Sequence, residues 1–206
     1  VQTLAAYLDD EITAMPNLTT VGAAATASTI AGIPFYSADT SSMYTADVSG
    51  TDSTAQHNAS YGYEATDAIT TGDNNTAMGS AALSANTTGA GNAAFGRAAL
   101  KLNVDTANNT AVGFNALENN VAANNVAVGY SAGNANTTGT RNIAIGYQAY
   151  DASDTENDNL AIGYNAMTTN TAGGIQNIAL GNYALDGLTS GDSNVAIGYS
   201  AMSATV

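Results

Sequence analysis

Four acidic side chains fall within one eight-residue stretch: Asp151, Asp154, Glu156 and Asp158. Oxygen ligands spaced in this way suit a hard cation such as Ca²⁺. The stretch lacks the spacing and turn glycine of an EF-hand loop, and the chain has no nonapeptide Ca²⁺-roll motif. A solvated acidic loop is therefore favoured, with a weak cation site as the alternative. His57 is the only histidine, and no nucleophile or metal ligand stands beside it in sequence. An enzyme needs unlike groups converging on one pocket, and the acidic positions do not recur in register as a carboxylate pair would require. The expectation is a non-enzymatic chain with no cofactor. The absence of cysteine excludes disulfides, thiol chemistry and cysteine metal sites.

A second group with binding chemistry is aromatic. Tyr63, Phe114, Tyr130, Tyr147, Tyr164 and Tyr199 each follow a glycine. An aromatic column suits sugar rings or a subunit interface, since aromatics serve both. The interface is favoured, and Tyr130, Tyr147, Tyr164 and Tyr199 are the candidate ligand-binding residues. All six occupy one position of a repeat. Its glycines are Gly62, Gly79, Gly96, Gly113, Gly129, Gly146, Gly163, Gly181 and Gly198, at intervals of 17, 17, 17, 16, 17, 17, 18 and 17. A period this steady marks a solenoid-type array.

Alternation within the repeat selects strand over helix. Val126 and Val128, Ile143 and Ile145, Leu160 and Ile162, and Val195 and Ile197 share one face at period two, with β-branched residues favoured. These aliphatic pairs are expected to fill the coil. Ser60 and the alanines between the pairs are then expected on the opposite face, their small size marking the approach of another backbone and hence self-association. Alanine three residues after the glycine recurs in all nine copies, from Ala65 to Ala201, and marks a narrow point. Seventeen residues accommodate two short strands and two corners. The leading asparagines, Asn58, Asn75, Asn92, Asn109, Asn125, Asn142, Asn159, Asn177 and Asn194, are expected to form a structural ladder, amide to amide. Thr-Thr-Gly and Thr-Ser-Gly loops follow, with glycine and asparagine supplying positive φ angles at the corners.

The array occupies residues 58–206. Residues 1–16 predict a helix with Leu4, Leu8, Ile12 and Met15 on one face, Thr3 as a cap and Pro16 as the stop. Its apolar stripe needs a partner, either the first coil or copies of the same helix in a trimer clamp. Residues 17–57 read as a connector and cap. They include a strand at Ile33–Phe35 and a degenerate repeat in which Tyr44 stands where Tyr61 stands one period later. The formal charge of −14, with only Arg97, Lys101 and Arg141 as cations, speaks against nucleic acid. No apolar run approaches a membrane span. No signal peptide opens the chain, which begins without Met and reads as a segment of something longer.

Asn194-Val195-Ala196-Ile197-Gly198 and its upstream variants closely resemble the head repeat of trimeric autotransporter adhesins. The longer form, with Gly-Tyr-x-Ala-Leu/Met and Thr-Thr-Gly-x-x-Asn loops, is more similar still to repeats of bacteriophage tail-fibre proteins. The resemblance covers about 150 of the 206 residues. It implies an all-β fold: a probably left-handed β-roll of about nine coils, associated as a homotrimer. It further implies a structural and adhesive role in a virion tail fibre, alongside other tail or fibre proteins and against a host-surface glycan. The head of a bacterial cell-surface adhesin is the alternative.

Overall fold

The computed structural model describes residues 54–169 and 173–203, together with the backbone of three short strands upstream. The expected helix at residues 1–16 lies outside the described residues, and no helix occurs within them. Strands β1 (Ser28–Ile30) and β2 (Ile33–Phe35) pair antiparallel as a hairpin, so the strand expected at Ile33 has a partner just upstream. The two-residue strand β3 (Met43–Tyr44) begins a ten-stranded parallel sheet. It pairs Tyr44 with Ser60, one residue out of the alignment with Tyr61 expected from the sequence.

The remaining strands are three residues each: β4 (Ala59–Tyr61), β5 (Thr76–Met78), β6 (Ala93–Phe95), β7 (Thr110–Val112), β8 (Val126–Val128), β9 (Ile143–Ile145), β10 (Leu160–Ile162), β11 (Ile178–Leu180) and β12 (Val195–Ile197). They stack in sequence order and strict register, so that Ala144 lies between Ala127 and Ala161. The fold is therefore a parallel β-solenoid with eight full turns between β4 and β12. Each coil contains one strand rather than the two expected. The rest of the coil is turn, built on positive φ at the second and fourth residues after the glycine, as at Gln148 (φ 49°) and Tyr150 (φ 57°). A chain bent this often forms no second strand, although its turns still bond coil to coil, as the Leu83 N–H does to the Ala99 carbonyl at 3.0 Å.

Inside and outside are the reverse of the expectation. The central alanine of each strand from β5 to β12, and Ser60 in β4, faces the coil interior: Ala77, Ala94, Ala111, Ala127, Ala161 and Ala179 are fully buried. The aliphatic pairs point outward, with Ile143 at 38% and Ile145 at 36% exposure. The reason is width. The interior is closed by the alanine column at Ala65 to Ala184 and filled by the next residue, Leu83, Leu100, Leu117, Tyr150, Met167 or Leu185, all buried. With a leucine from the turn already inside, the strand opposite has room for a methyl group only. Each such leucine or methionine contributes about 1.5–3 kcal/mol by leaving water.

Tyr150 is the largest side chain in this interior. Gly133 occupies the equivalent site one coil earlier, and a Cβ there would stand 3.0 Å from Leu117. Burial pushes the Tyr150 phenol well above its ordinary value. Its oxygen accepts from Asn159 Nδ2 at 2.9 Å, and its proton points to the Glu156 carbonyl at 3.3 Å. Because the folded state holds this proton more tightly, its contribution is complete below the unfolded tyrosine value of about 10 and is lost as pH rises towards the folded one. Alkaline titration followed by circular dichroism and phenolate absorbance should show Tyr150 ionising together with unfolding. Tyr150→Phe should extend the folded range to higher pH.

Candidate functional site

Three features bear on function: the asparagine columns that set the coils, the outward sheet face, and the acidic loop. The leading asparagines bond to backbone rather than amide to amide. Each Oδ1 accepts the backbone N–H of the asparagine one coil on, at 2.8–3.0 Å, from Asn58 through Asn109, Asn125, Asn142, Asn159 and Asn177 to Asn194. Each Nδ2 donates across the coil to a carbonyl at its far end, as Asn125 does to Gly139 and Asn142 to Glu156. One side chain thus closes its own coil and holds the next. Asn194 differs, its Nδ2 donating back to Asn177 Oδ1 at 2.9 Å.

Sequence reasoning missed a second buried column, Asn86, Asn103, Asn120 and Asn136. Its amides converge on the same carbonyls: Gly89 accepts from both Asn75 and Asn86, and Gly139 from both Asn125 and Asn136. Its own regular spacing was the available signal. This column also bears on the loop glycines: the expected positive φ holds at Gly191 (φ 123°) but not at Gly72, Gly89 or Gly139, which stand against its side chains. A Cβ on Gly139 would lie 2.4 Å from Asn136 Oδ1 and 2.2 Å from the Glu156 carbonyl. Gly139 is needed for close approach, and the positive φ falls instead on Arg141 at 58°.

The aromatic column is built by the corner glycine, which turns the following side chain onto the sheet's outer face. Phe114, Tyr130, Tyr147 and Tyr164 stack with centroids 5.4, 5.0 and 5.1 Å apart and planes within 10°. The Arg97 guanidinium lies 5.2 Å from the Phe114 centroid at one end. Tyr183 meets Tyr164 edge-on at the other, and Tyr199 in turn meets Tyr183 edge-on. The stack therefore covers its own faces, and Tyr130 and Tyr147 offer only ring edges and hydroxyls. Tyr63 and Tyr199, about three-quarters exposed, are the aromatic members with open surface. Ring pairs of this kind add about 0.5–1.5 kcal/mol each beyond burial. Tyr147→Ala, which removes two, should cost about 1–3 kcal/mol in denaturant unfolding.

The acidic loop does not converge. Asp158 is taken by Arg141, whose Nη2 donates to it at 2.8 Å, and this pair holds the Asp158 carboxyl below its ordinary range. Glu156 is buried, and its carboxylate accepts the N–H groups of Asp154, Thr155 and Gly173 at 3.0–3.1 Å. Burial raises the Asp151 carboxyl. Among the described residues, no group of three or more His, Asp or Glu side chains is placed to hold a metal ion. His57 adopts a positive φ of 60° at the entry to the first full coil. No helix among them is long and apolar enough to cross a membrane.

The outward rows of β4 to β12 and the residues after each glycine form one continuous strip. Arg97 is its only charged residue, and the acids among the described residues all lie in turns and loops. Compared with known proteins, the chain matches no family model, no curated protein and no solved structure.

Proposed function

We propose that the array is one subunit of a homotrimeric, left-handed β-roll rod, a non-enzymatic structural and adhesive segment of a phage tail fibre in the virion. The observation that carries self-association is the apolar strip. It runs the length of the array, about 40 Å at the spacing of stacked strands. A strip of that length that is mainly apolar, broken by Thr76, Ser80, Arg97, Thr110 and Asn182, suits a surface covered by a partner. Its lack of carboxylates in a chain of net charge −14 matches the depletion of charge at interface centres.

The profile of the strip favours another copy as the partner. Small outward residues stand beside large ones at Ala59 and Tyr61, Thr76 and Met78, and Ala93 and Phe95. Medium residues stand beside medium at Val126 and Val128 and at Ile143 and Ile145. The summed bulk is matched within β4 to β6 and again within β9 to β11, where every pair is Ile or Leu, which suits a partner of constant cross-section along each block. The tail-fibre assignment itself rests on the resemblance of the Gly-Tyr-x-Ala-Leu/Met repeat and its loops. A host-surface glycan would meet Tyr63, Tyr199 or the loops, where open surface remains, rather than the stacked ring faces.

Light scattering on the purified chain should give three times the monomer mass. Ile145→Asp, which places a carboxylate in the middle of the strip, should shift the particle to monomer while retaining the β-type circular dichroism. A wild-type chain that is monomeric at micromolar concentration would reject the proposal.

A further inference from the structure

The Gly181 coil lacks a backbone bond that the first five coils make, and it does so at a chemically labile step. Asp186-Gly187 is the only Asp-Gly step in the chain, and there is no Asn-Gly step. Glycine leaves its own backbone nitrogen without steric cover, so that nitrogen can attack the preceding carboxyl group. In a folded chain a hydrogen bond from the nitrogen restrains the attack. The coils of Gly62 to Gly129 supply that bond at the position six residues after the glycine. Ala152 and Thr169 in the next two coils make no such bond among the described residues, and neither of those is a glycine. Ala68 donates to Ser84 at 3.2 Å, Ala85 to Lys101 at 3.1 Å, Leu102 to Glu118 at 3.0 Å, and Ala135 to Asp151 at 3.0 Å. Gly187 holds the same position after Gly181, but its amide donates no hydrogen bond among the described residues.

The carboxyl group is equally untied. Asp186 Oδ1 is enclosed without a hydrogen-bond partner. By contrast Glu118, at the same place in its coil, faces Lys101 and accepts from Asn134 Nδ2. The loop that follows, Thr189 to Ser193, is exposed and leaves room for the backbone to turn.

We propose that Asp186-Gly187 is a self-modification site that converts to isoaspartate through a succinimide. The Gly187 nitrogen bonds to Asp186 Cγ, and a carboxyl oxygen leaves as water with the amide proton. Water then adds back to the ring. Addition at Cγ restores aspartate. Addition at the main-chain carbonyl breaks its bond to nitrogen and leaves the chain running through Cγ, one carbon longer. The net composition is unchanged and no oxidant or cofactor takes part. The longer connection falls between the turn of the Gly181 coil and β12, so conversion should release the last coil from its register.

The test is storage of the intact chain at neutral pH and 37 °C, with isoaspartate located by enzymatic methyl transfer and by electron-transfer fragmentation. Isoaspartate should accumulate at residue 186, and Gly187→Ala should abolish it. The variant should fold, since alanine holds this position in the coils of Ala68, Ala85 and Ala135, and circular dichroism checks that it does. Ala68→Gly places a glycine after Asp67, where the amide is held by Ser84, and residue 67 should stay unmodified until the chain is unfolded in urea. Absence of isoaspartate at 186 in the wild type would overturn the proposal. So would equal conversion at residue 67 in folded Ala68→Gly.

Discussion

Gly146→Ala should unfold the middle of the array. Gly146 has φ +139°, a region that essentially only glycine occupies, and a Cβ there would lie 2.2 Å from the Gly163 carbonyl oxygen. The backbone term alone costs about 1–3 kcal/mol. The steric term cannot relax through a side chain, because the atom in the way is backbone of the next coil. Together they should exceed about 3 kcal/mol, near the upper range of single substitutions. Coils stabilise one another through nearest-neighbour contacts, so the loss should spread to β8 and β10. Gly198→Ala is the internal control. It has φ +124° but nothing within 4 Å of the added Cβ, and should carry the backbone cost alone. Denaturant midpoints compare the two, and equal losses would reject close stacking as the reason for the glycine column.

Asn142 should rank next. Asn142→Ala leaves the buried Asn159 N–H without its side-chain partner and leaves the Glu156 carbonyl only the Tyr150 hydroxyl at 3.3 Å. An unpaired buried group costs about 1–3 kcal/mol, and the loss should fall in that range or a little above it. Asn142→Asp separates the two roles. It keeps the acceptor for Asn159 but turns a second oxygen towards the Glu156 carbonyl, where only a donor fits. Burial and that carbonyl both disfavour the carboxylate, so the folded state should bind a proton more tightly than the unfolded one. Stability of Asn142→Asp should therefore improve as pH falls, against a wild type lacking that dependence at residue 142. Thermal unfolding between neutral and mildly acidic pH measures this directly. A flat difference would mean that the donor to Glu156 contributes nothing.

The period, the strand and the asparagine and glycine columns were all readable from one chain. They depend on local identity repeated in register, and a solenoid repeats its physics with its sequence. Which face of the strand turns inward was read wrongly. Alternation gives two faces without saying which is inside, and bulk favoured Ile143 and Ile145. The better signal was tolerance: the outward position before Ala94 is Ala93, before Ala111 Thr110, and before Ala161 Leu160, while the middle residue is alanine in every strand from β5 to β12. A tight interior admits no such range. The aromatic column was legible as a column. Its self-covering stack was not, because that follows from the roughly 5 Å rise between coils and not from the identity of any residue.

The carbonyl that receives the asparagine amides also fixes where the chain can change length. Asn75 reaches it 14 residues on, Asn109 after 13 and Asn159 after 15, yet the bonds stay at 2.8–2.9 Å. The coil short by one residue and the coil long by one both absorb the difference before that carbonyl, leaving strand, corner and asparagine untouched. Small slips in copying the gene are thereby confined to the loop, whereas gain or loss of a whole unit changes only the extent of the rod, by about 4.8 Å each time. Length in such a molecule is inherited as a number of units, and it can drift between lineages without the packing having to be reinvented.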